Sequence, residues 1–101
     1  MASLFVEEWG DVGTGSNGNL TGALQYAVSN TTVSLGLSSA RTAFDFDSKT
    51  RIVTLLSEQD CYILFGGSTV EATSSNLFLP ARTFRSFALS AGESRVAVIL
   101  R

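Results

Sequence analysis

Beyond Asn30 the chain is written in short apolar runs at a period of two, each closed by a cluster of turn residues. That pattern leaves room for little except β-structure. "TTVSLGL" alternates Val33, Leu35 and Leu37 against Thr32, Ser34 and Gly36, and "AFDFD" sets Phe44 and Phe46 against Asp45 and Asp47. The polar turn "DSKT" leads into "RIVTLLS", and "SEQD" turns the chain again into "CYILFGG". A Ser/Thr-rich loop, "STVEATSSN", precedes the short strand "LFLP", closed by Pro80. "FRSFALS", the turn "AGES" and "RVAVILR" complete the chain. Seven or eight short strands spaced in this way predict an all-β fold, an antiparallel β-sandwich or jelly-roll-like small barrel. The expected organisation is an N-terminal strand or arm with a Gly-rich loop over residues 1–22, followed by a single β-sandwich domain over residues 23–101.

Several of these strands are apolar on both faces. "CYILF" places Cys61, Ile63 and Phe65 opposite Tyr62 and Leu64; "RVAVIL" places Val96, Val98 and Leu100 opposite Ala97 and Ile99. "RIVTLL" carries Ile52 and Leu56 against Val53 and Leu55. Such strands need cover on both sides, and a sandwich supplies only one. The second cover is either another subunit or the chain's own edges and loops. Composition sharpens the question, because hydrophobic residues make up 45% of the 101 positions and charged residues only 16%. A small domain with so little charge must place apolar side chains on its surface or against a partner.

The stretch "DVGTGSNGNL" contains Gly13, Gly15 and Gly18 in the order G-x-G-x-x-G, the spacing of a dinucleotide-binding turn. That turn works only inside a βαβ unit, with an acid at the end of the second strand about twenty residues further on. Here the next strand-like segment ends in serines and everything downstream is β. "LTGALQYAV" has apolar residues at helical spacing, yet Leu24, Tyr26 and Val28 also alternate as in a strand. No cofactor is therefore expected, and Gly10–Asn19 is expected to be an extended, pliable arm ordered by what it touches.

Little in the sequence points to catalysis. There is no histidine, so the commonest general base and the usual activator of a serine or cysteine nucleophile are missing. Acid pairs occur at Glu7/Glu8, Asp45/Asp47 and Glu58/Asp60. They could serve a glycosidase or a calcium site, but acids on open faces and in turns also solubilise a sheet and blunt its edges. No catalytic residue and no metal are expected. The net charge is −2 and there is no basic run, which argues against nucleic-acid binding. The lone Cys61 reads as a buried hydrophobe in a reducing compartment. "MASLFVEEWG" lacks the features of a signal peptide, and "CYILF" and "VAVIL" are too short to span a bilayer, so a soluble protein without membrane contact is expected.

The segment from Thr50 to Leu100 resembles small virion proteins encoded beside the head genes of tailed bacteriophages. In these a "DCYIxFG" strand is followed by a "T-x-x-x-S-S…LP" loop and strand, a strand bearing Phe, and a closing "G-x-x-V-A-V-I". Asp60 to Gly66, Thr73 to Ser75, Leu79-Pro80, Phe87 and Gly92 to Ile99 occupy those positions. "SSA" at Ser38–Ala40 and "AF" at Ala43-Phe44 extend the likeness loosely, while the N-terminal third has no counterpart. Some members are similar to capsid cement or decoration proteins. The resemblance implies a structural protein of the capsid surface, made in the bacterial cytoplasm, with the major capsid protein and further copies of itself (a homodimer or homotrimer) as partners. Candidate partner-binding residues are Phe5, Trp9, Gly13, Gly15, Asn17, Tyr26, Arg82 and Arg85. A tail- or fibre-associated module that binds host glycans, with Trp9, Tyr26 and Tyr62 as stacking surfaces, and a head–tail connector component are the alternatives.

Overall fold

The computed structural model describes the backbone of residues 2–14 and 20–101, with the side chains of residues 2–10 and 30–101. Its described part is all-β, with eight strands: β1 (Ser3–Thr14), β2 (Leu20–Ser34), β3 (Ala40–Arg41), β4 (Ile52–Ser57), β5 (Cys61–Gly66), β6 (Leu77–Leu79), β7 (Arg85–Ala88) and β8 (Arg95–Leu100). They form two four-stranded sheets, in the orders β2-β1-β4-β7 and β3-β8-β5-β6, and every pairing is antiparallel. Only the β1–β2 and β5–β6 connections stay within one sheet. The other five cross between sheets, so consecutive strands contribute to both walls of one core.

The core follows from the alternation. Leu4 and Val6 of β1, Val33 of β2, Val53 and Leu55 of β4, Cys61 and Ile63 of β5, Leu79 of β6, and Val96 and Val98 of β8 are all buried in a single cluster. Each strand thus gives one side of its pleat to the space between the sheets, as a sandwich requires. Phe46, Phe65 and Phe87 pack in series beside this cluster, with ring centroids 6.3 and 5.3 Å apart, from a loop and from both sheets.

The structure corrects two expectations. "AFDFD" is not a strand: residues 43–47 run as a loop between β3 and β4. Phe46 turns into the core at 8% exposure while Phe44 stands 83% exposed, so the two rings do not share a face. The amide of Phe46 donates to the Ser94 carbonyl (2.8 Å), an anchor to the opposite turn that strict alternation does not foresee. "TTVSLGL" leaves the sheet after Ser34, and Leu37 is exposed.

The second correction concerns the expected arm. Gly10–Thr14 continues β1 and pairs with β2 through Asp11 with Gln25, Val12 with Leu24 and Thr14 with Leu20. Glycine suggests pliability, but a strand needs from the backbone only N–H and C=O groups, which glycine supplies. Gly15–Asn19 lie outside the described residues. β1 is also the only strand between β2 and β4, so residues 3–14 belong to the first sheet, and residue 22 falls inside β2.

Cys61 is a buried free thiol. Burial pushes its pKa up, the Asp60 charge acts in the same direction, and a hydrogen bond with Ser57 opposes them. A raised pKa in the folded state favours the neutral thiol. Its contribution to stability is therefore fully present below the ordinary thiol value and is lost as the pH rises from there through the raised one. A thiol-specific disulfide reagent at pH 7–8 should leave native protein unmodified and titrate one thiol after denaturation. Rapid labelling of native protein would contradict this placement.

Candidate docking face

The two sheets differ in how their outer faces are finished. On the second sheet the loop after β5 folds back, so that Val70 and Ala72 bury Ala97 against Ile99. The approach is close: a Cβ on Gly66 would lie 2.8 Å from Val70 Cγ2, which is why β5 ends in glycine. Ser39 Oγ accepts a hydrogen bond from the Ala72 amide (2.8 Å), and Arg41 Nη1 donates to the Val70 carbonyl, fixing the loop over β8 and β3. Beside it Tyr62 packs against Phe78 with the rings tilted and their centroids 5.7 Å apart, and the Arg101 guanidinium lies 5.3 Å above Phe78. Here the chain itself covers β8, while Leu64 on the outward side of β5 stays 38% exposed.

Among the described residues nothing comparable covers the first sheet. Its outward positions form three rows across the strands. Thr32, Phe5 and Leu56 stand side by side, followed by Phe84 just before β7. Asn30, Glu7, Thr54 and Ser86 make the second row, with a 2.8 Å hydroxyl–hydroxyl bond between Thr54 and Ser86. Trp9, Ile52 and Ala88 make the third. Phe5 is 40% and Phe84 66% exposed, and they flank an open depression of about 260 Å³ lined also by Glu7, Thr54 and Leu56. Phe84 and Phe87 are three residues apart and so fall on opposite faces of β7. One goes to the surface and the other to the core.

The candidate residues sort themselves against this face. Phe5 and Trp9 share the outward side of β1. Arg82 lies next to it, in the β6–β7 loop, where its amide donates to the Ser57 carbonyl (2.8 Å) and its backbone takes a left-handed φ of 58°. Arg85 does not belong to the face: it points to the other side of β7, with its guanidinium 5.3 Å over the Phe87 ring. Gly13 lies in β1 and Tyr26 in β2, but the side chain of Tyr26, and Gly15 and Asn17 entirely, fall outside the described residues. Leu56, Phe84, Glu7 and the Thr54–Ser86 pair were missed. Period-two alternation within "RIVTLLS" and "FRSFALS" marks their common side, but only the strand order makes them neighbours.

The paired acids do different work from that their spacing suggests. Glu7 points outward and Glu8 inward, where its Oε1 accepts from the Asp47 amide (2.8 Å) and the Thr50 hydroxyl (2.7 Å). Asp45 accepts from Arg95 Nε at 2.8 Å, and Asp47 Oδ1 accepts the Lys49 amide. Glu58 Oε1 accepts from the Ser3 amide and Asp60 Oδ1 from that of Ala81, each closing a corner between sheets or strands. Among the described residues no three Asp, Glu, Cys or His side chains are grouped to hold a metal ion. What this surface offers is shape and apolar area.

Comparison with protein-family models, curated proteins and solved structures finds no match. Trp9 and Tyr62 lie on the outer faces of different sheets, so no single sugar-stacking platform can use both.

Proposed function

We propose that the chain is a structural virion protein of a tailed bacteriophage that binds the outer surface of the capsid and stabilises it. The observation that carries this reading is the bare face of the first sheet, Phe5, Leu56 and Phe84 around Glu7, where no loop folds over as Val70 and Ala72 do over β8 of the other sheet. Exposed aromatics over a few polar groups are the composition of a docking patch. The phage assignment rests on the resemblance of Thr50–Leu100, whose motif residues lie in the framework of β5, β6, β7 and β8 and the loops between them. The unmatched N-terminal third forms β1 and β2 and brings Phe5 and Trp9 to the face, beside Leu56 and Phe84 from the segment that carries the resemblance. In this reading the strand order is that of a jelly roll in which β1 takes the place of the closing strand.

Purified protein added to shells that lack it should bind at saturable stoichiometry and raise the temperature at which they break. Phe5→Asp with Phe84→Asp should weaken that binding roughly tenfold or more, as removal of central aromatic anchors does. Failure of the wild-type chain to bind its own capsid would remove the proposal.

A further inference from the structure

We infer that two copies of this chain join through β2, edge to edge and antiparallel, into one eight-stranded sheet. The inference does not depend on the virion reading. It begins from the four sheet edges. β3 has two residues, β6 has three and is followed by Pro80, and β7 has four and carries Arg85. Shortness, proline and charge are the usual means of keeping an edge from pairing. β2 has none of them: it runs fifteen residues, Leu20–Ser34, without a charged residue or a proline. Among the described residues no strand pairs with its outer side.

The strand also overhangs its own sheet. β1 pairs with β4 only from Leu4 to Trp9, whereas β1 and β2 continue together to Thr14 and Leu20. Gly10–Thr14 therefore project about 17 Å past the last β4 partner at 3.4 Å per residue. The register shift between Glu8 and Trp9 falls where the ribbon leaves β4. A two-stranded ribbon alone is marginally stable in water, and added strands make it secure.

A second copy is the partner this edge fits. An antiparallel edge is its own complement about a twofold axis normal to the sheet, and a strand without charge brings no like charges together in any register. Rotation about that axis keeps both outer faces on the same side. The two sets of Phe5, Leu56 and Phe84 would then stand on one platform of twice the area.

Hydrogen-bond direction gives a residue-level test. The Leu35 amide donates to the Ala2 carbonyl (3.0 Å), so it points toward β1. Alternation along the continuous register directs the amides of Val33 and Thr31 the same way and those of Ser34, Thr32 and Asn30 to the free edge. Mass measurement in solution should give a dimer at micromolar concentration, and amide exchange should show Asn30, Thr32 and Ser34 protected in it. Thr32→Pro, which removes one free-edge donor, and Thr32→Lys, which sets like charges at the join, should each give a folded monomer. In that monomer the three amides exchange quickly while Thr31 and Val33 stay protected. A wild-type monomer or trimer, a dimer whose edge amides remain fast, or dimers that survive in both folded variants would each overturn the inference. None of these results bears on whether the chain binds a shell.

Discussion

Phe46→Ala is expected to destabilise the fold by about 3–5 kcal/mol, the range for deleting a buried aromatic ring. Phe44→Ala, two residues away, should change stability by less than about 0.5 kcal/mol, as surface substitutions do. Phe46 is buried, joins the Phe65 and Phe87 rings and ties its amide to Ser94, whereas Phe44 is mostly in solvent. Removing the inner ring opens a cavity where a loop and both sheets meet, and packed neighbours fill such a space only in part. Urea unfolding of the two variants beside the parent chain measures the difference directly. Equal losses would mean that residues 43–47 are a strand with both rings on one side, as plain alternation expects.

Glu8→Ala should be the next most damaging change, at about 2–4 kcal/mol. Two hydrogen bonds to a charged acceptor, worth about 1.5–3 kcal/mol each, are lost, partly offset where the Asp47 amide regains water. Glu8 is 5% exposed and Thr50 is buried with it, so the Thr50 hydroxyl is left without its acceptor. Glu8→Gln keeps an oxygen at the same place and should cost well under half as much, whereas Glu7→Ala on the outward side should be nearly neutral. If Glu8→Ala and Glu7→Ala unfold at the same urea concentration, the inward placement of Glu8 is wrong.

Much of the framework was legible in the sequence because β-structure writes its period directly into it. "RIVTLLS", "CYILFGG", "LFLP", "FRSFALS" and "RVAVILR" all contain strands, and the turns "SEQD" and "AGES" fall where polar clusters placed them. The turn around Gly92 takes a φ of +86°, which glycine adopts without strain, and Glu93 Oε1 accepts the Ser90 amide to close it. Phe44 and Leu37 were misplaced for one reason. Alternation continues on paper after the backbone has left the sheet, and leaving is decided by distant partners such as Ser94 and Val96. The sequence singles out Phe5 and Trp9 as aromatics; that Leu56 and Phe84 stand beside Phe5 follows only from the β1–β4–β7 order.

The sequence by itself determined an all-β chain with more apolar strand faces than a two-sheet sandwich can bury. Its glycine motif lacked the βαβ setting a nucleotide needs, because local pattern sets local period and turn chemistry. Tertiary structure alone decided which of the spare faces is covered. The loop at Val70 and Ala72 closes over β8 because Gly66 lets it approach, while the first sheet, with β1 held between β2 and β4, keeps Phe5 in solvent. Strand order and loop path depend on pairings between residues tens of positions apart, and no short stretch of the chain encodes those.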